Sequence, residues 1–240
     1  MRTLSVLVVG VVLASCGFVG GESALGWPDV DLGVPAEVYK STAERDLHVH
    51  VFSPTSSDAE AHGAVLFFHG GGFASARIPQ FQRQAALLAA ENMVGLVVEY
   101  RVTSEGTSRT DAVVDGSDAV DWVRDNADAL GIDPARIAVA GSSAGGALAV
   151  EASSDADALV LFNPAVGAAS ATFIDSQPTI VFHSRADTIV PFSSAQSFCD
   201  ASTSCELIAF EEGDHGFFND EPALSETNEL MIEFLRSNEW

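Results

Sequence analysis

From about residue 37 the chain alternates between short unbroken apolar runs and longer stretches with apolar positions at helical spacing. The runs are 64–68 (Ala-Val-Leu-Phe-Phe), 94–98, 137–140, 158–162 and 179–182, with a further strand at 207–210. A short strand that is apolar on both faces must be covered on both faces, which is the condition of a parallel sheet. Upstream, Val49 and Val51 alternate with His48, His50 and Ser53 and predict a half-exposed strand near the start of the sheet. Helices are expected at 81–91, 111–130 and 222–236. The second takes Val113, Val114, Val120 and Val123 as packing positions, sets acids opposite them, and ends at Gly131 and Pro134. Strands alternating with helices predict an α/β fold: a mainly parallel, doubly wound sheet of about eight strands. The length of 240 residues suits one such domain, placed at 37–240.

The first 36 residues read differently. Arg2 followed by the apolar run 4–13 is too short to span a bilayer as a helix and reads as a signal peptide over 1–15. It ends in Leu13-Ala14-Ser15-Cys16, which resembles a bacterial lipobox, and that resemblance implies lipidation of Cys16. A plain signal peptide cleaved near Ala14 is the alternative. Residues 16–36, with several glycines, Pro28 and Pro35, form a tether leading into the domain. The expected location is therefore the cell envelope or outer face of a bacterial membrane.

Charge narrows the partners. The net charge is −23, from 34 acidic and 11 basic residues, and Lys40 is the only lysine. Such a chain is repelled by nucleic acid and by anionic lipid, so nucleic-acid binding is excluded and a lipid anchor is the one expected membrane attachment. Export implies an oxidising compartment, in which Cys199 and Cys205, six positions apart, can form a disulfide; two free thiols are the alternative. Neither has a histidine nearby at zinc-site spacing, and no metal is expected.

Three segments fall where a parallel sheet binds ligands, beyond the carboxyl ends of its strands. Gly141-Ser142-Ser143-Ala144-Gly145-Gly146 follows the strand 137–140 and opens a helix. Gly-x-Ser-x-Gly at a strand-to-helix turn is a nucleophile elbow, in which Gly141 and Gly145 keep side chains clear and Ser143 stands at a helix N-terminus. His69-Gly70-Gly71-Gly72-Phe73 follows the strand 64–68. Its glycines let backbone N–H groups converge on an oxyanion, and Gly71, Gly72 and Ala144 are the expected donors, with His69 and Gly70 bracing the loop. A phosphate-binding loop would need a Lys-Ser/Thr pair after the glycines, and none follows. Asp187 lies just past the strand 179–182, and His215 just past 207–210. A serine hydroxyl needs a base to take its proton. His215 is the expected base, and Asp187 the acid that fixes its tautomer. His48, His50, His62 and His183 are weaker candidates for the base, and Asp175 and Asp214 for the acid.

With these motifs, in the order Ser, Asp, His, the chain resembles the α/β-hydrolase superfamily over roughly 37–237. It is most similar to small carboxylesterases with a His-Gly-Gly-Gly oxyanion motif, the hormone-sensitive-lipase-like group and the acetyl and feruloyl esterases. Tyr100-Arg101 and the stretch 131–137 (Gly-Ile-Asp-Pro-Ala-Arg-Ile) add to the likeness. Two positions depart from it. Ser142 stands where much of that group has Asp, and Ser184 where the acid segment usually opens with Gly. The resemblance implies a serine carboxylesterase that works through an acyl-enzyme and needs no cofactor.

Relatives often carry a cap after the strand that follows the elbow helix. Only residues 165–177 are available for one here, and no sizeable cap domain is expected. An open site suits short acyl groups, or acetyl and aryl-acyl esters on a polysaccharide. The alternatives are an amide- or peptide-cleaving serine hydrolase and a non-catalytic surface lipoprotein on the same scaffold.

Overall fold

The computed structural model describes residues 30–55, 61–174 and 177–240. The signal peptide at 1–15, Cys16 and most of the tether lie outside the described residues.

The apolar runs become the strands of one eight-stranded sheet. They are β1 (Ala36–Ser41), β2 (Asp46–Phe52), β3 (His62–Phe68), β4 (Val94–Val98), β5 (Ile132–Ser143), β6 (Ala158–Pro164), β7 (Thr179–Ser184) and β8 (Cys205–Phe210). The order across the sheet is β1-β2-β4-β3-β5-β6-β7-β8. From β4 to β8 every pairing is parallel, and β2 runs antiparallel to both of its neighbours. The carboxyl ends of β3, β5, β6, β7 and β8 therefore share one edge.

The helices are α1 (Gln82–Ala90), α2 (Arg109–Asp125), α3 (Ala127–Leu130), α4 (Ala144–Glu151), α5 (Phe192–Asp200) and α6 (Ala223–Ser237). Alternation along the strands sends side chains to two separate cores. Ala64, Leu66 and Phe68 of β3 join the core under α2 to α5, and Val65 and Phe67 join the core under α1 and α6. On the second face Phe81 stacks on Phe67 at 5.1 Å and on Phe218 at 5.6 Å, and Phe218 meets Phe162 at 4.8 Å. A fully buried Phe contributes about 1.5–3 kcal/mol. Phe218 is three residues beyond His215, so this cluster also pins the loop that carries the histidine.

Four local expectations are corrected. The helix at 111–130 starts earlier, at a capping box in which Ser108 and Asp111 exchange backbone bonds. It breaks at Asn126, whose side-chain amide donates to the Trp122 carbonyl at 2.8 Å. Val114 is 47% exposed, and Asp115 takes a buried position instead. The strand at 46–52 is not half-exposed: β1 pairs along its outer side, and His50 is buried. Asp115 and His50 can be buried because both are paired. Arg101 grips Asp115 through Nε, a second guanidinium nitrogen and its backbone N–H at 2.8–3.0 Å, and Lys40 reaches the same carboxylate at 2.6 Å. His50 Nε2 meets Glu99 at 3.1 Å.

Between β6 and β7 lies a short connection with one 3-10 turn at Ala168–Phe173. Among the described residues no helical layer is inserted there. Cys199 and Cys205 are disulfide-bonded and tie the end of α5 to the start of β8.

Candidate active site

β5 runs to Ser143 and α4 begins at the next residue. Ser143 turns the corner at φ 52° and ψ −120°, a left-handed conformation that few non-glycine residues adopt. The turn is tight enough to dictate its neighbours. A Cβ on Gly145 would stand 2.2 Å from the Phe68 carbonyl oxygen, and one on Gly141 would stand 2.2 Å from the Gly145 oxygen. Gly145 therefore lets the elbow lie directly against the end of β3, where the glycine loop begins.

That loop is braced from two sides. Tyr100 Oη donates to the His69 carbonyl at 2.7 Å, and its ring stacks on the His69 imidazole at 4.3 Å. Gln80 Oε1 accepts from Gly70 N–H at 2.6 Å and from the Ser142 hydroxyl at 3.0 Å. One side-chain oxygen thus joins the glycine loop to the elbow. Burial lowers the His69 pKa to about 4, so its imidazole is neutral at ordinary pH. Among the described residues, the Gly71 and Gly72 N–H groups donate to no backbone acceptor.

Tyr100 is itself held by charge. Arg45 pairs with Glu99 and with Glu105, and Glu99 also takes His50 and His48. Burial alone would raise the Glu99 pKa, but hydrogen bonds from His48 and His50 and the Arg45 charge hold it far below the carboxylate range. On the other side Arg101 is clamped by Asp115. The Tyr100-Arg101 pair thus carries a physical role: Glu99 and Arg101 anchor the end of β4 and hold Tyr100 under the glycine loop.

The acid and base meet. His215 Nδ1 lies 2.7 Å from Asp187 Oδ2. The other carboxylate oxygen accepts from Ile189 N–H at 2.8 Å and Val190 N–H at 3.0 Å. The Asp187 side chain is fully buried, and that of His215 is 25% exposed. Asp187 thus takes the Nδ1 side of the ring, which leaves Nε2 on the other side. His183 packs beside this pair. Its Nε2 donates to the Val190 carbonyl at 3.0 Å, and burial lowers its pKa.

Ser143 reaches the pair through β6. Ala165 N–H donates to the Ser143 carbonyl at 2.9 Å, and the Asn163 amide donates to the His215 carbonyl at 3.0 Å. No hydrogen bond joins the Ser143 hydroxyl to His215 among the described residues. Such contacts are often loose without substrate and tighten when it binds. His48 and His50 lie at the opposite side of the sheet with Glu99, and Asp214 turns its carboxylate to the Gly216 N–H. Asp175 lies outside the described residues. No group of three or more His, Cys, Asp or Glu among the described residues is placed to hold a metal ion.

Sequence reasoning did not find Gln80 or Asn163, and it did not give Ser184 a role. Asn163 had a signal: a polar amide closing an otherwise apolar buried strand, directly before Pro164. Gln80 had none, because its partners come from distant parts of the chain.

Residues 65–171 match the family described as alpha/beta hydrolase fold. The ethyl acetate hydrolase of Pseudomonas putida is 37% identical over 114 residues, covering 45% of this chain and 36% of that protein. The arylesterase of Saccharolobus solfataricus is 32% identical over 122 residues, covering 50% and 39%. The chain thus spans well under half the length of these curated relatives. Among solved structures, the thermophilic esterase Est2 of the planctomycete Thermogutta terrifontis superposes with a TM-score of 0.81 at 32% identity, covering 86% of this chain and 93% of that one. With residues 65–171 matching that family and a 32% identical structural relative covered almost end to end, the chain belongs to the α/β-hydrolase family.

Proposed function

We propose that this protein is a serine carboxylic-ester hydrolase with Ser143 as nucleophile, His215 as base and Asp187 as the supporting acid. The observation that carries this reading is the 2.7 Å Asp187–His215 bond at the strand edge that also bears Ser143 on its strained turn. In the reaction, His215 Nε2 takes the proton of the Ser143 hydroxyl as its oxygen attacks the ester carbonyl. The oxyanion forms against the Gly71, Gly72 and Ala144 amides, each worth roughly 3–4 kcal/mol of barrier. Collapse breaks the bond to the alcohol, which leaves with the proton from His215. A water molecule, deprotonated by the same imidazole, then attacks the acyl-serine and releases the acid. No cofactor enters these steps.

The preferred substrates are short-chain esters, or acetyl and aryl-acyl esters attached to a polysaccharide. The short connection between β6 and β7 supports this, as a shallow site buries little acyl chain. So do the names of the relatives, one an ethyl acetate hydrolase and one an arylesterase, and the forms of Est2 solved with propionate and butyrate. The protein is exported and held to a bacterial membrane by lipid on Cys16. The Cys199–Cys205 bridge supports export, since disulfides persist in oxidising compartments.

A fluorophosphonate probe tests the chemistry. Wild type labels at Ser143, and Ser143→Ala neither labels nor turns over. Turnover by Ser143→Ala at the wild-type rate would refute the mechanism. A series of nitrophenyl esters, with acetylated xylan and methyl ferulate, tests the substrate class; a preference for ten carbons or more would refute it.

A further inference from the structure

Asn163 is fully buried at the end of β6. It holds φ at +41°, in the left-handed region that asparagine tolerates better than most residues. Its amide has one orientation that fits its surroundings. Oδ1 accepts from Ser184 N–H at 3.0 Å, and Nδ2 donates to the carbonyls of His215 at 3.0 Å and Asp214 at 3.4 Å. Reversing the amide would set oxygen against two carbonyl oxygens and nitrogen against an N–H. The side chain therefore bridges the start of the acid loop and the base loop.

A second link runs beside it. The Ser184 hydroxyl donates to the Gly213 carbonyl at 2.6 Å and accepts from Ala186 N–H at 3.1 Å. Glycine at this position would make neither bond. Two residues after Asn163, Ala165 N–H holds the Ser143 carbonyl. Residues 163–165 thus touch the nucleophile turn, the acid loop and the base loop.

From this geometry we infer that Asn163, assisted by the Ser184 hydroxyl, is a positioning residue that sets the His215 imidazole relative to Ser143. It touches no reacting atom. The inference rests on the triad proposed above. A hydroxyl and an imidazole on separate loops, with no bond between them before substrate binds, depend on the backbone for their separation. A displacement of about 1 Å in such a pair costs about 100-fold in rate.

The test uses Asn163→Gly, Asn163→Asp and Ser184→Ala in the full chain. Glycine keeps the left-handed turn and removes only the amide. Asn163→Gly is expected to lower kcat by about 10- to 100-fold per probe-titrated active site, with KM nearly unchanged. Asn163→Asp keeps the acceptor for Ser184 and sets a carboxyl oxygen against the His215 and Asp214 carbonyls in place of the amide N–H. It is expected to lower kcat with KM nearly unchanged. Ser184→Ala is expected to lower kcat by about threefold to tenfold. Wild-type kcat per titrated site in Asn163→Gly overturns the inference, whatever happens to stability. If that variant does not fold, an unchanged kcat in Ser184→Ala overturns it and a fall supports it. Ser143→Ala separates the two layers: activity in that variant removes the triad itself, and an inactive Ser143→Ala beside a fully active Asn163→Gly removes only the positioning role.

Discussion

Gly71→Ala and Gly72→Ala differ by one position, and the structure gives them different outcomes. Gly71 sits at φ +128°, outside the range of L-residues, and a Cβ there would stand 2.1 Å from the Ser75 carbonyl oxygen. An ordinary carbon–oxygen contact is about 3.3 Å, so one partner must retreat by about 1 Å. Ser75 is not free to do so, because Ala74 and Ser75 both donate backbone N–H groups to the Gly71 carbonyl at 3.0 and 3.1 Å. The strain is relieved only by opening this turn, which turns the Gly71 N–H away from the oxyanion. Loss of one such donor costs about 100- to 1,000-fold in kcat. Gly72 has φ +64°, and a Cβ there would meet no atom within 4 Å. Alanine there meets only the left-handed backbone penalty of about 1–2 kcal/mol, which lowers stability and leaves kcat within about tenfold. The assay is kcat on nitrophenyl butyrate, normalised to sites titrated with a fluorophosphonate, beside a thermal melt of each variant. If Gly71→Ala keeps kcat within about threefold of wild type, a barrier change under 1 kcal/mol, the assignment of this loop as the oxyanion site is wrong. Equal damage from the two substitutions would refute the geometric argument.

Ser143 carries strain that its own chemistry requires. Ser143→Gly is expected to melt above Ser143→Ala by up to about 8 °C, as glycine relieves about 1–3 kcal/mol of backbone strain and loses about 1 kcal/mol to greater freedom when unfolded; a lower melting temperature for the glycine variant would contradict this. Reduction of the Cys199–Cys205 bridge is expected to cost about 2 kcal/mol on loop-entropy grounds, read from urea midpoints with and without reductant. His69 makes stability depend on pH. Its folded pKa is lowered to about 4 by burial, and Tyr100 packs on it with Arg45, Glu99 and Arg77 as the charges in range. The unfolded chain takes up this proton below about pH 6.5 and the folded chain resists until about pH 4, so stability is full above 6.5 and falls with pH through 4. The full window is worth about 3 kcal/mol, and His69→Gln should flatten the urea stability profile between pH 4 and 6.5; an unchanged slope would remove the argument.

The central sheet was legible because strands buried on both faces have no polar alternation to confuse them. β3 to β7 appear where their apolar runs fall, and the motifs after them fall at the strand ends. β1 was illegible for the opposite reason. Ala36–Ser41 reads Ala-Glu-Val-Tyr-Lys-Ser; only Tyr39 is buried, and Val38 points outward at 45% exposure. An edge strand needs one apolar contact, and one contact leaves no period. His50, Glu99 and Asp115 were misjudged or overlooked because hydropathy treats a charge as a surface group. Here each finds a partner across the chain, such as Arg45 for Glu99 and Lys40 for Asp115, and sequence spacing cannot show that closure. Gln80 and Asn163 escaped in the same way. Their roles lie in the distance between loops that meet only after the sheet has formed.

Strain follows the same division. Among the described residues, the non-glycine positions with positive φ are Phe73, Asn92, Ser143, Asn163 and Glu239. Phe73, Ser143 and Asn163 follow or close β3, β5 and β6 at their carboxyl ends, within the proposed site. At such an end an extended chain must turn into a loop or helix on one face of the sheet. Bent into the left-handed region there, Ser143 turns from β5 into α4, and the fully buried Asn163 turns its amide to the acid and base loops. Each such residue costs about 1–3 kcal/mol, and a loop alone would relax. It is held here because the strands beneath are paired on both sides and covered on both faces. The buried sheet is thus a condition of the chemistry: it keeps Ser143 and Asn163 in conformations they would leave if free, and so holds the nucleophile and the proposed positioning residue at one edge.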